Sequence, residues 1–115
     1  MIAMQDWTVT YPDGTIAVDH LNLKIQPGEH LAIIGANGAG KSSLILSMVG
    51  VIPGSGQIHV DGVELNKKNL TEIRKKVGVV FQNPDDQLFL PTIYDDVAFG
   101  PRNLGMDEES VRYRV

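Results

Sequence analysis

The 115-residue chain contains no cysteine. That excludes disulfide bonds and thiolate metal centres and suits a reducing cytosolic compartment. It also lacks any apolar run near the roughly 20 residues a membrane-spanning helix needs. Its start, Met1–Asp6, has neither a basic stretch nor an extended apolar core, so no signal peptide is expected. A basic surface is missing as well: 10 Lys and Arg stand against 14 Asp and Glu, a net charge of −4, which argues against a nucleic-acid partner. The single basic run, Lys67, Lys68, Arg74, Lys75 and Lys76, reads as the solvated side of a short helix. Repeats, low-complexity stretches and a dividing linker are all absent. What remains is 43% hydrophobic and 21% charged, the composition of one soluble globular domain.

One motif stands out. Gly35-Ala36-Asn37-Gly38-Ala39-Gly40-Lys41-Ser42 fits the P-loop pattern G-x-x-x-x-G-K-S/T. His30–Ile34 before it reads as a buried strand. Leu44, Ile45, Met48 and Val49 after it form one apolar helical face. Strand, glycine loop and helix are the context the motif requires. Glycines let the backbone curl round phosphates and turn its N–H groups inward, and the helix start adds unpaired N–H groups and a positive dipole end. Lys41 is expected on the β- and γ-phosphates and Ser42 on Mg²⁺. An ordinary glycine turn with a surface lysine is the alternative.

Residues 2–10 suit a strand, Pro12-Asp13-Gly14 a turn, and residues 15–25 a second strand with Leu21, Leu23 and Ile25 on one face. The P-loop helix is expected over Lys41–Val49, closed by Gly50. Asp61-Gly62 between Gln57–Val60 and Val63–Leu65 predicts a hairpin. Thr71 is expected to cap a helix through Lys75, and Val77–Phe81 to form a second buried strand. A helix over Thr92–Phe99 should end at Gly100-Pro101, and Asp107 should cap a last helix that runs to Val115 with no closing residue. The fold class is α/β, a P-loop core with an antiparallel β layer. His20, His30 and His59 have no ligand spacing and read as structural. Asp85-Asp86 and Asp95-Asp96 read as a loop and a helix start.

Several stretches together resemble the N-terminal half of an ATP-binding-cassette transporter ATPase, most closely those of energy-coupling-factor and cobalt-type importers. They are Tyr11–Gly14, Pro27–Glu29, the P-loop, Gly56–Gly62, Val79–Pro84 and Asp95–Pro101, with Phe81–Phe89 the most telling for the subgroup. The resemblance implies that Tyr11 stacks on adenine; taken alone, it would be a turn-flanking aromatic packed on the sheet. It implies that Gln82 approaches Mg²⁺ and the attacking water and senses the membrane partner, where a neutral amide can both accept and donate; taken alone, Gln82 is a polar residue ending a strand. Leu88–Ile93 would lie near the groove for a transmembrane subunit, or Leu88, Phe89 and Ile93 would fill a local core. Gly35 through Ser43 would bind nucleotide, although the family usually has Thr where Ser43 stands.

The same resemblance implies an incomplete domain over residues 1–115. No L-S-G-G-Q signature, no acidic Walker B strand with its general-base Glu and no switch histidine is present. Strands that flank the P-loop strand in the family sheet come late in the sequence, so Leu31–Ile34 should show unpaired edges and an uncovered apolar face, whereas the antiparallel layer has most of its strands. The expected function is that of an ATP-binding subunit fragment of an importer for a small nutrient, a metal ion or vitamin, binding Mg-ATP at the cytoplasmic membrane face. Its partners would be a transmembrane subunit and a second, identical or different, ATP-binding subunit. A truncated non-catalytic nucleotide-binding or dimerising module is the alternative; a small kinase fits less well.

Overall fold

The computed structural model describes residues 1–36, 38–83, 85 and 87–115. They form two compact units, Met1–Gly78 and Val79–Val115.

The first unit is built on an antiparallel sheet. Its strands are β1 (Ile2–Thr10), β2 (Ile16–Ile25), β3 (Ser55–Val60) and the two-residue β4 (Val63–Glu64), in the order β2-β1-β3-β4. One face carries the core: Met4, Trp7 and Val9 from β1, with Ile58 and Val60 from β3, packed against Leu44 and Met48 of helix α1 (Lys41–Met48) and Ile73 of α2 (Leu70–Lys76). Each such side chain contributes about 1.5–3 kcal/mol on full burial. Asp61-Gly62 makes the expected hairpin. Both residues have positive φ, 48° and 81°, as a two-residue turn needs to match strand twist.

Met4 and Trp7 are three residues apart, so a regular strand would send them to opposite faces. An extra residue in β1 between Met4 and Trp7, with a matching irregularity in β2 between Leu21 and Val18, brings both inward. The two positive-φ residues there, Asp6 at 54° and His20 at 46°, are held by side chains. Asp6 N–H donates to Asn22 Oδ1 at 2.9 Å, His20 N–H to Thr8 Oγ1 at 3.0 Å, and His20 Nδ1 meets Asp6 Oδ1 at 2.5 Å. The hydrogen bond to Asp6, with the Asp6 and Asp19 charges, holds the imidazole pKa above its ordinary value. The charged pair therefore supports the bulge at low pH, and that support is lost as pH rises through the raised folded value. An NMR titration should show His20 titrating higher than free histidine and Asp6→Asn returning it downward; an unshifted His20 would contradict the pairing.

Helix α2 starts at Leu70, two residues earlier than a cap at Thr71 predicts, and runs to Lys76. Asn69 occupies the cap position, with its N–H on Asn66 Oδ1 at 2.8 Å. The basic run is exposed as expected, and Arg74 Nε also donates to the Val49 carbonyl at 3.1 Å, closing the end of α1.

Two expectations need correction. Leu31–Ile34 and Val77–Phe81 are neither buried nor paired in a strand. Ile34 is 93% exposed and Val80 89%. The short continuous apolar runs are those of a buried strand, but no described strand lies alongside to complete the ladder. The uncovered apolar face expected of Leu31–Ile34 is what the structure has.

The second unit holds α3 (Ile93–Asn103) and α4 (Glu108–Arg114). Ala98 and Val111 are fully buried, and Arg102 pairs with Glu108 at 2.9 Å and with Asp95 at 3.4 Å. Thr92 caps α3 and Asp107 caps α4 through side-chain oxygens. Contrary to the sequence reading, Gly100-Pro101 does not stop α3. Proline there forfeits one N–H in the last turn, while Leu104 N–H still reaches Gly100 O at 3.1 Å. The stop falls at Gly105, with φ 80°.

Candidate nucleotide site

The glycine loop curls back on itself. A Cβ placed on Gly35 would sit 3.2 Å from the Ala39 Cβ, and Ala39 N–H donates to Ala36 O at 3.1 Å. Gly38 and Gly40 take φ values of 86° and 95°, which side chains disfavour. Asn37 lies outside the described residues. Gly40 is the N-cap of α1, with no side-chain cap and no acidic residue in the first turn, so the helix start leaves N–H groups and a positive dipole end to an anion.

The Lys41 ammonium folds over this loop, donating to the Gly35 carbonyl and, at 3.4 Å, to the Ala36 carbonyl. Ser42, second in the helix, is exposed; Ser43, third, is 4% exposed. Among the described residues no group of three His, Cys, Asp or Glu could hold a metal.

The loop is fixed to the sheet at two places. A Cβ on Gly40 would lie 2.1 Å from the Ala17 carbonyl oxygen, so loop and β2 touch backbone to backbone. Tyr11, just after β1, hydrogen-bonds through its hydroxyl to Ser43 Oγ, and its ring is partly exposed. Tyr11 and the P-loop helix are thus brought together, although 32 residues separate Tyr11 from Ser43. Behind them, Trp7 Nε1 donates to Ser47 Oγ at 2.9 Å. Ala17 and Ser47 carried no signal in the sequence: neither type is distinctive, and both act through distant contacts.

Gln82 belongs to the second unit, where it is exposed. Beside it, Gln87 takes the place of a strand neighbour: its Oε1 accepts from Phe81 N–H at 3.3 Å and its Nε2 donates to Val79 O at 3.2 Å. Leu88, Phe89 and Ile93 are mostly exposed, so they do not fill a local core; Phe89 meets the Phe99 ring edge-on at 4.9 Å. Pro84 and Asp86 of the Phe81–Phe89 run lie outside the described residues.

A curled glycine loop entering an uncapped helix, with a lysine over its mouth, defines a P-loop protein. Residues 18–111 match the ABC transporter family, and the chain belongs to it. The chain is 52% identical, over its whole length, to the energy-coupling factor transporter ATP-binding protein EcfA of Methanothermobacter thermautotrophicus, of which it covers 38%. Its fold matches cbiO1 of Clostridium perfringens, part of the ABC transporter complex cbiONQ, with a TM-score of 0.79 and 36% identity over 97% of this chain and 46% of that one. It also matches the dimeric ATP-binding cassette MJ0796 in a post-hydrolysis state bound to ADP and Pi, with a TM-score of 0.82 and 28% identity over 98% of this chain and 53% of that one. The chain therefore spans about two-fifths to half the length of these relatives. The likeness supports the α/β P-loop class with an antiparallel β layer.

Proposed function

We propose that residues 1–115 are the N-terminal part of an ABC-type ATP-binding domain, in a subunit of the energy-coupling-factor kind, and that they bind Mg-ATP. The observation that carries this is the Gly35–Ser43 loop: N–H groups at an acid-free helix start, with the Lys41 ammonium beside them. In this reading the loop amides and Lys41 hold the phosphates, Ser42 places its hydroxyl on Mg²⁺, and Tyr11 stacks on the base. Gln82 takes the water- and metal-facing role that the resemblance implies. The relatives' names support transport as the process. The parent subunit would work at the cytoplasmic side of a membrane with a transmembrane subunit and a second ATP-binding subunit, importing a small nutrient such as a metal ion or vitamin.

The chain by itself should bind without efficient turnover. General-base assistance is typically worth about 10²–10⁴-fold, and residues 1–115 hold no Walker B carboxylate to supply it. Calorimetry with Mg-ATP tests the reading. Hydrogen bonds to charged groups contribute about 1.5–3 kcal/mol, so Lys41→Ala should weaken binding by roughly 10- to 150-fold. A wild-type chain with no affinity for Mg-ATP would overturn the assignment.

A further inference from the structure

We infer that Ser43 is a positioning residue, one that orients Tyr11 for the base of the nucleotide; the inference rests on the nucleotide-binding reading above. Tyr11 has its main chain fixed on both sides. Its N–H donates to Thr15 O at 2.8 Å, its carbonyl accepts from Gly14 N–H at 2.9 Å, and Thr15 N–H is tied to Asp13 Oδ1 at 2.9 Å. Only the side-chain torsions remain free, and the hydroxyl bond to Ser43 Oγ fixes those.

Ser43 is well placed for this. It is buried, and as the third residue of α1 it lies about 3 Å along the axis from the first helical residue. Its N–H remains at the phosphate end of the helix while its side chain turns to Tyr11. The Gly40–Ala17 backbone contact joins the start of that helix to β2, the strand that follows the Tyr11 turn. The turn that carries the aromatic and the helix that carries the phosphate amides therefore cannot shift independently.

A ring ordered before the ligand arrives loses little freedom on stacking. Immobilising a side chain on binding costs about 0.5–1.5 kcal/mol, so loss of the hydroxyl pair should lower affinity for a base-bearing ligand by roughly 2- to 12-fold. A ligand of phosphates alone makes no use of the ring.

The experiment compares calorimetric affinities of Mg-ATP and of magnesium tripolyphosphate for the 115-residue chain and its Ser43→Ala, Tyr11→Phe, double and Ser43→Thr variants. The ratio of ATP to tripolyphosphate affinity should fall about 2- to 12-fold in each of the first two variants. It should fall no further in the double variant and return in Ser43→Thr, which keeps the hydroxyl. Equal losses for both ligands in Ser43→Ala, or additive losses in the double variant, would overturn the inference. If the wild type bound both ligands and no variant changed the ratio, the inference would fail while the nucleotide reading stood. If the wild type bound neither, both would fail together.

Discussion

Gly40→Ala should abolish measurable Mg-ATP binding and lower the stability of the first unit by more than 2 kcal/mol, beyond the ordinary range for a glycine substitution. Two effects combine. At φ 95° an L-residue is strained, by about 1–2 kcal/mol. The new Cβ would also lie 2.1 Å from the Ala17 carbonyl oxygen and 3.1 Å from its carbon. Those are backbone atoms, so either the start of β2 or the loop itself must move. Gly38→Ala is the matched control: its φ is 86°, but nothing lies within 4 Å of the added atom. It should show the conformational strain alone. Denaturant unfolding and calorimetry on the two variants would separate the effects. Equal losses in both would mean that the approach of loop to sheet has no energetic weight.

Trp7→Ala should be the most damaging core substitution, costing about 3–5 kcal/mol. Trp7 is 4% exposed, and its ring lies so close to Gly54 that a Cβ there would sit 2.4 Å from Cζ2. Its indole N–H donates to Ser47 Oγ, which joins β1 to the last turn of α1. Small domains have about 5–15 kcal/mol in all, so circular dichroism should show a broad or absent unfolding transition at 25 °C. Trp7→Phe keeps much of the apolar volume and loses the hydrogen bond. Ser47 still donates to Leu44 O at 2.8 Å, so that variant should unfold cooperatively with a smaller loss. If Trp7→Ala proved as mild as Trp7→Phe, the indole would not be a central packing element.

Both substitutions act on contacts between segments distant in the chain, and that is where sequence reading ran out. The Asp61-Gly62 hairpin, the P-loop helix beginning at Lys41 and the Asp107 cap were legible because each is set by residues next to one another. The bulge that turns Met4 and Trp7 to the same face was not. It needs Asp6 and His20 at positive φ, and what holds them there is a set of side chains on the facing strand. Pro101 misled for the opposite reason: its local preference was clear, but a proline in the last turn forfeits only one hydrogen bond, and α3 continues to Asn103.

The strand-like run Leu31–Ile34 marks the boundary between the two kinds of information. Its unbroken apolar character is a property of its own residues, so it could be read directly. Whether it is buried depends on neighbours supplied from elsewhere, and here it is exposed. By itself, then, the sequence determined the glycine loop, the Asp61-Gly62 turn, the Asp107 cap and the family, because short-range chemistry and residue spacing encode them. Only the tertiary structure decided that Tyr11 meets Ser43, that Gly40 rests on Ala17 and that Trp7 reaches Ser47. Such contacts join residues that are neighbours only after the chain has folded, when packing selects among side chains that no local pattern distinguishes.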